Sequence, residues 1–129
     1  MSTIKTYHHD LWDHGISQGY SVNGTLYISG QFSHNAAGEF VGAGDIGIQT
    51  RQTLDNLDRV LAEFGVTKAN LAYVEVYLTH AQEHGGTVIE LFKEYLGDHH
   101  RPAGSLIGVN FLAFPEQWIE ISAVAHVER

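Results

Sequence analysis

From Trp118 to Val127 the chain alternates between two unlike sets of side chains. Ile119, Ile121, Ala123, Ala125 and Val127 fall on one side, and Trp118, Glu120, Ser122, Val124 and His126 on the other. A period of two is that of a β-strand with one face in a core. The segment from Leu71 to His80 repeats the pattern, setting Ala72, Val74, Val76 and Leu78 against Tyr73, Glu75, Tyr77 and Thr79. Strands of this kind require a sheet, and a sheet with one apolar face requires helices to cover it.

Two segments supply them. Ile46, Thr50, Leu54, Leu57, Leu61 and Phe64 recur at helical spacing, with Asp45 placed to cap the start and Gly65 to end it. Thr87 and Glu90 form a Thr-x-x-Glu capping pattern ahead of Leu91, Phe92, Tyr95 and Leu96, so a second helix is predicted from Thr87 to a stop at Gly97. Asn23-Gly24, between β-favouring runs from Tyr20 to Ser29, predicts a hairpin. Ser105 to Phe111 and Trp118 to Val127 read as the last two strands. The predicted order is β-β-α-β-α-β-β, with a short extra strand at Glu39 to Val41 as an option: an α+β domain whose mixed sheet carries two helices on one face. The uncovered face, with Tyr73, Tyr77 and Glu120, is too aromatic for simple exposure and too polar for a dry core. It predicts a subunit interface holding a polar pocket, against the alternative of a solvated face with tolerated aromatics.

A length of 129 residues, with no linker, repeat or low-complexity tract, fits one domain. Seven Lys and Arg against fifteen Asp and Glu give a net charge of −8, which repels phosphate backbones and anionic membranes and makes nucleic acid an unlikely partner. There is no cysteine, so thiol nucleophiles, disulfides and cysteine-based metal sites are excluded. No apolar run approaches a membrane span and the opening residues carry no signal-peptide core, so a cytoplasmic protein is expected.

Gly42-Ala43-Gly44-Asp45-Ile46-Gly47 matches the dinucleotide fingerprint Gly-x-Gly-x-x-Gly but lacks the buried parallel strand that must precede it, so it reads as a turn with an aspartate cap. The histidines group as His8-His9-Asp10, His80/His84 and His99-His100 without a recognisable ligand motif; neighbours on a strand face opposite ways, and the His80/His84 pair falls where a strand ends, so helical geometry is not assured. No metal site is expected. Nothing resembles the Gly-x-Ser-x-Gly nucleophile elbow. Glu120 is the carboxylate placed for acid/base work, its alternative being an ordinary outward-facing side chain.

Several segments coincide with one family. Ser29-Gly30-Gln31, the run from Asp45 to Gly65, "VEVYLTH" from Val74, "RPAGS" from Arg101 and "IEISAVA" from Ile119 together resemble the RidA (YjgF) family, also called L-PSP endoribonuclease-like proteins, over about Ser17 to Val127. The resemblance implies a chorismate-mutase-like fold, a homotrimer with small-molecule sites in the clefts between subunits, and hydrolysis of reactive imines and enamines without cofactor or metal. It implies substrate contacts at Ser29, Gly30 and Ser105, and a water-activating role for Glu120. Where the family pattern is Arg-Pro-Ala-Arg-Ser, this chain has Arg101-Pro102-Ala103-Gly104-Ser105, so Gly104 occupies the place of the carboxylate-binding arginine. Ile16 stands where the family has tyrosine and Ile89 where it has asparagine. The resemblance therefore predicts a wider, more apolar cleft taking a bulkier or less acidic ligand, with Arg101 at its mouth and Trp118 among its walls. A non-catalytic, metabolite-binding trimer is the other reading, and ribonuclease activity a lesser one.

Overall fold

In the computed structural model, which describes residues 3–98 and 100–127, Asn23 and Gly24 take φ of 53° and 77°, the two positive values of a tight turn. They join strands Gly19–Val22 (β2) and Thr25–Gln31 (β3). The remaining strands are Lys5–Tyr7 (β1), Leu71–Thr79 (β4), Ala103–Val109 (β5) and Ile119–His126 (β6), and the helices are Ile46–Glu63 (α1) and Ala81–Leu96 (α2). The sheet runs β1-β2-β3-β6-β4-β5. Only the β4–β5 pair is parallel among the described strands, and α2 is the crossover that parallel pairing demands.

The core lies where the alternation placed it. Ile119, Ile121, Ala123 and Ala125 of β6 are buried together with Leu26, Ile28, Val74, Val76 and Leu78, beneath Leu57 and Leu61 of α1 and Val88 of α2. Each such aliphatic side chain contributes roughly 1.5–3 kcal/mol by leaving water. The fold is thus the expected α+β one, two helices on one face of a mixed sheet.

Five details depart from the sequence reading. β1 was not foreseen, because three residues carry no periodicity; it is held by pairing with β2. At the start of β4 the register shifts between Leu71 and Tyr73, so Ala72 is the extra residue of a bulge, exposed, and Leu71 takes the buried place. α2 begins at Ala81, six residues before the Thr87 pattern, with His80 as N-cap in the left-handed conformation and no side-chain cap. Gly85 and Gly86 lie inside the helix, where burial of Val88 and Leu91 outweighs a propensity cost of about 1 kcal/mol for each glycine. The penultimate strand ends at Val109 rather than Phe111, whose ring is 80% exposed, and the Glu39–Val41 segment amounts to one bridge between His34 and Phe40.

Candidate functional site

The register between β3 and β6 is also broken. Ile28 pairs with Ala123 but Gln31 with Ile121, so Ser29-Gly30 is a bulge. Freed from the ladder, this pair is refastened by side chains: Ser29 Oγ donates to Ser17 O (2.6 Å), and Gln31 Nε2 donates to Ser29 O (3.0 Å) and to Gln18 Oε1 (2.9 Å). Gly30 then lies against the Glu120 side chain so closely that a Cβ would stand 2.6 Å from the carboxyl carbon. The bulge and the carboxylate are fitted to one another.

The segment leading into β6 completes the fit. Gln49 of α1, fully buried, donates to Gly42 O (3.0 Å) and Glu116 O (3.1 Å) and accepts from the Trp118 amide (2.9 Å). The buried Gln117 donates through Nε2 to Ile119 O (3.3 Å) and to Glu120 Oε1 (3.4 Å). Around these groups is a cavity of about 270 Å³ lined by Ile16, Gln18, Ser29, Gly30, Gln31, Gln117 and Glu120, with Trp12, Phe32, His34 and Phe114 as its aromatic part. Burial holds the His34 imidazole below its ordinary range, opposed in part by its Nδ1 hydrogen bond to Asn35 O (2.8 Å).

Ile89, Gly104 and Ser105 belong to a different cavity, of about 240 Å³, between α2 and β5, with Val74, Phe92 and Lys93 among its walls. No residue lines both. Glu120 pairs with Tyr77 of β4, and Tyr77 with Ile107 of β5, so the Gly104 strand lies two strands away from the carboxylate, roughly 10 Å at ordinary spacing. Arg101 lines neither cavity; its guanidinium donates to Gly97 O and His100 O at the C-terminal end of α2. Trp118, expected on the open face, precedes β6 and is stacked on His84 of α2 at 4.5 Å, because the strand alternation does not extend to it and Gln49 holds its amide.

On the open face, Glu75 accepts from the hydroxyls of Tyr77 (2.6 Å) and Tyr73 (3.3 Å). The bond to Glu75 is the first cause raising the Tyr77 phenol above its usual range. Several histidines have local partners. His80 and His84 do stand at helical i,i+4 spacing, rings 5.6 Å apart, and His84 Nδ1 and His100 Nε2 donate to Thr79 O and Leu71 O. His99 lies outside the described residues. Sequence reasoning missed Trp12, Phe32, His34, Phe114 and Gln117, which meet only through long-range packing; the one signal for Gln117 was its position three residues before Glu120.

Residues 13–127 match the family described as endoribonuclease L-PSP. A RutC family protein from Pyrococcus horikoshii is 34% identical over 113 residues, 87% of this chain and 86% of that protein. A RutC family protein from Sulfurisphaera tokodaii is 37% identical over 62 residues, 48% of this chain, and the aligned part spans half the length of that relative. Among solved structures, the Rid family protein YyfA from Yersinia pestis, itself of unknown function, superimposes with a TM-score of 0.87 at 29% identity, over 96% of this chain and 99% of that one.

Proposed function

Because the chain belongs to the endoribonuclease L-PSP family, which takes in its RutC- and Rid-named relatives, we propose that it hydrolyses a reactive imine or enamine at Glu120, in a cleft completed by a second copy of the chain. The observation that carries this reading is the setting of Glu120. Its carboxylate lies against Gly30, accepts a hydrogen bond from buried Gln117, lines a cavity, and has no cationic partner among the described residues. Such a group is free to serve as a general base. It takes a proton from water as the water oxygen bonds to the imine carbon, and that proton goes to nitrogen to give a carbinolamine; the carbinolamine hydroxyl then gives its proton, by way of the carboxylate, to nitrogen as the C=O bond forms and the C–N bond breaks, and ammonia and a carbonyl compound leave. An enamine first tautomerises to the imine.

The second copy is supported by the division of the site. Ile89, Gly104 and Ser105 open onto a cavity of their own, and the face bearing Tyr73, Glu75 and Tyr77 is uncovered by either helix. A closed oligomer, a homotrimer by family resemblance, lets the second cavity of one subunit meet the first of the next. Sedimentation showing a monomer at assay concentrations would sink this part.

The chemistry is tested by generating 2-iminopropionate and bulkier imines in place and following release of the carbonyl product. Acceleration by the wild type and its loss in Glu120→Ala support the reading, and an E120A protein with full activity overturns it. A second reading, a non-catalytic metabolite-binding protein, is favoured by one observation: neither lysine nor arginine lines the Glu120 cavity, and Gly104 stands in the place of the family's arginine. Its mark is a metabolite that raises the melting temperature without being consumed. The same lack of cations, with a net charge of −8, weighs against RNA as substrate.

A further inference from the structure

The Glu120 cavity carries one formal charge, and it is negative. Its lining includes no lysine or arginine; the other titratable side chains are the imidazoles of His14 and His34, the latter held by burial below its ordinary range. Gln117, 1% exposed, spends its amide hydrogens on Ile119 O and Glu120 Oε1, which leaves its own Oε1 buried without a partner among the described residues. A carboxylate with an orphaned acceptor buried behind it therefore lines a cavity to which its own subunit brings no lysine or arginine. The charged acceptor that faces the cavity, Glu120, gains most from a ligand that brings N–H groups.

The rest of the wall is aromatic. The Trp12 and Phe32 ring centroids are 5.5 Å apart, those of Phe32 and Phe114 5.2 Å, and Trp12 meets His34 edge-on at 4.9 Å. Ring faces attract cations and stack on planar groups. A carboxylate placed here would face Glu120 with no lysine or arginine of the same subunit to offset it, and a neutral ketone would bring no donor to it. A protonated amidine, amine or iminium offers N–H donors to the Glu120 carboxylate and positive charge to the rings. The volume, about 270 Å³, is near the lower end of small-molecule pockets, roughly 300 Å³, and suits a single ring with a short polar head.

We propose that this cavity takes a ring-bearing organic cation with N–H donors, so that the substrate class is the iminium of an arylalkyl amine rather than an imino acid. The inference rests on the proposed function only for the location of the site. Its test therefore needs no turnover. The full-length protein is titrated with benzamidine, benzyl alcohol and benzoate at neutral pH and low salt, by calorimetry or by amide chemical shifts. Benzamidinium is expected to bind at least about tenfold more tightly than the other two. Glu120→Gln, nearly isosteric, is expected to close that gap, whereas Phe32→Leu weakens all three probes alike.

Benzoate binding as well as benzamidine, no binding by any probe, or a gap that persists in E120Q would overturn the proposal. Cation selectivity without imine hydrolysis would sink the catalytic reading and leave this one standing. Hydrolysis of imino acids with selectivity for benzoate would do the reverse.

Discussion

Two glycines, one in each cavity, stand close to their neighbours for different reasons. A Cβ on Gly30 would meet the end of a side chain, the Glu120 carboxyl at 2.6 Å, whereas a Cβ on Gly104 would meet backbone, the Val74 carbonyl oxygen at 2.5 Å, as well as Val74 Cγ2 at 2.8 Å. A carboxylate can swing aside; a carbonyl in the middle of a strand pair cannot. The first cavity is thus built around a movable functional group, and the second around the spacing of β4 and β5. The comparison teaches that a small residue can be required by what it permits chemically or by what it permits structurally, and that the two are separable by which property a substitution damages.

The sharpest break would come from Gly104→Arg. Filling the family's arginine place here forces β5 away from Val74, so a loss of about 2–3 kcal/mol in denaturant unfolding is expected before any anion is bound. A Gly104→Arg protein as stable as wild type would show that β5 gives way easily and that the close approach to Val74 decides nothing. Gly30→Ala should divide the two properties the other way. Stability changes by less than about 1 kcal/mol because the Glu120 side chain can move, while imine hydrolysis falls about a hundredfold because a misplaced base no longer addresses the reacting atom. Equal losses in folding and activity would erase the distinction.

A smaller effect sharpens the view of the aromatic wall. Burial is the first cause lowering both the His34 and the His9 imidazoles below the ordinary 6.5, and the two rings lie 5.8 Å apart with Arg59 also acting on His34. A histidine whose folded value is depressed binds fewer protons folded than unfolded, so its contribution to stability is complete above the unfolded value and is lost as pH falls from there through the folded one. The melting temperature should therefore drop on acidification from about pH 7 to pH 5, beyond the slope of His34→Asn. Parallel slopes for the two proteins would remove His34 as a cause.

Much of the frame was legible because it rests on local rules. Alternation placed Ile119, Ile121, Ala123 and Ala125 in the core, where they are buried, and Val127 with them, which lies past the end of β6 and is half-buried; Asn23-Gly24 predicted the hairpin, and Asp45 caps α1 through the Ile48 amide as its position suggested. The start of α2 was not legible, since Gly85-Gly86 argues against helix in every local scale and only packing of Val88 and Leu91 reverses it. At the site, Glu120, Ser29, Gly30 and Ile16 come together in one cavity. Their aromatic surroundings did not show in the sequence, because Trp12, His34 and Phe114 are joined by no periodicity and meet only when β3, β6 and the segment before β1's partner strand are assembled. The division of the named residues between two cavities was equally invisible, since it depends on sheet order rather than on spacing.

Arg101 separates the two cavities from a third kind of position, one that serves neither. Between two histidines and a proline it looked placed to line a mouth, yet its guanidinium is turned to the carbonyls of Gly97 and His100, where it satisfies acceptors left open at the end of α2 and faces the negative end of the helix dipole. The side chain is exposed, so solvent weakens both effects. Arg101→Ala is accordingly expected to cost only about 0.5 kcal/mol in denaturant unfolding. It should leave imine turnover and benzamidine affinity unchanged, the smallest effect of the series. A loss of affinity for anionic imino acids without a loss of stability would mean that Arg101 leaves the helix end when ligand is present and supplies the cation that Gly104 does not.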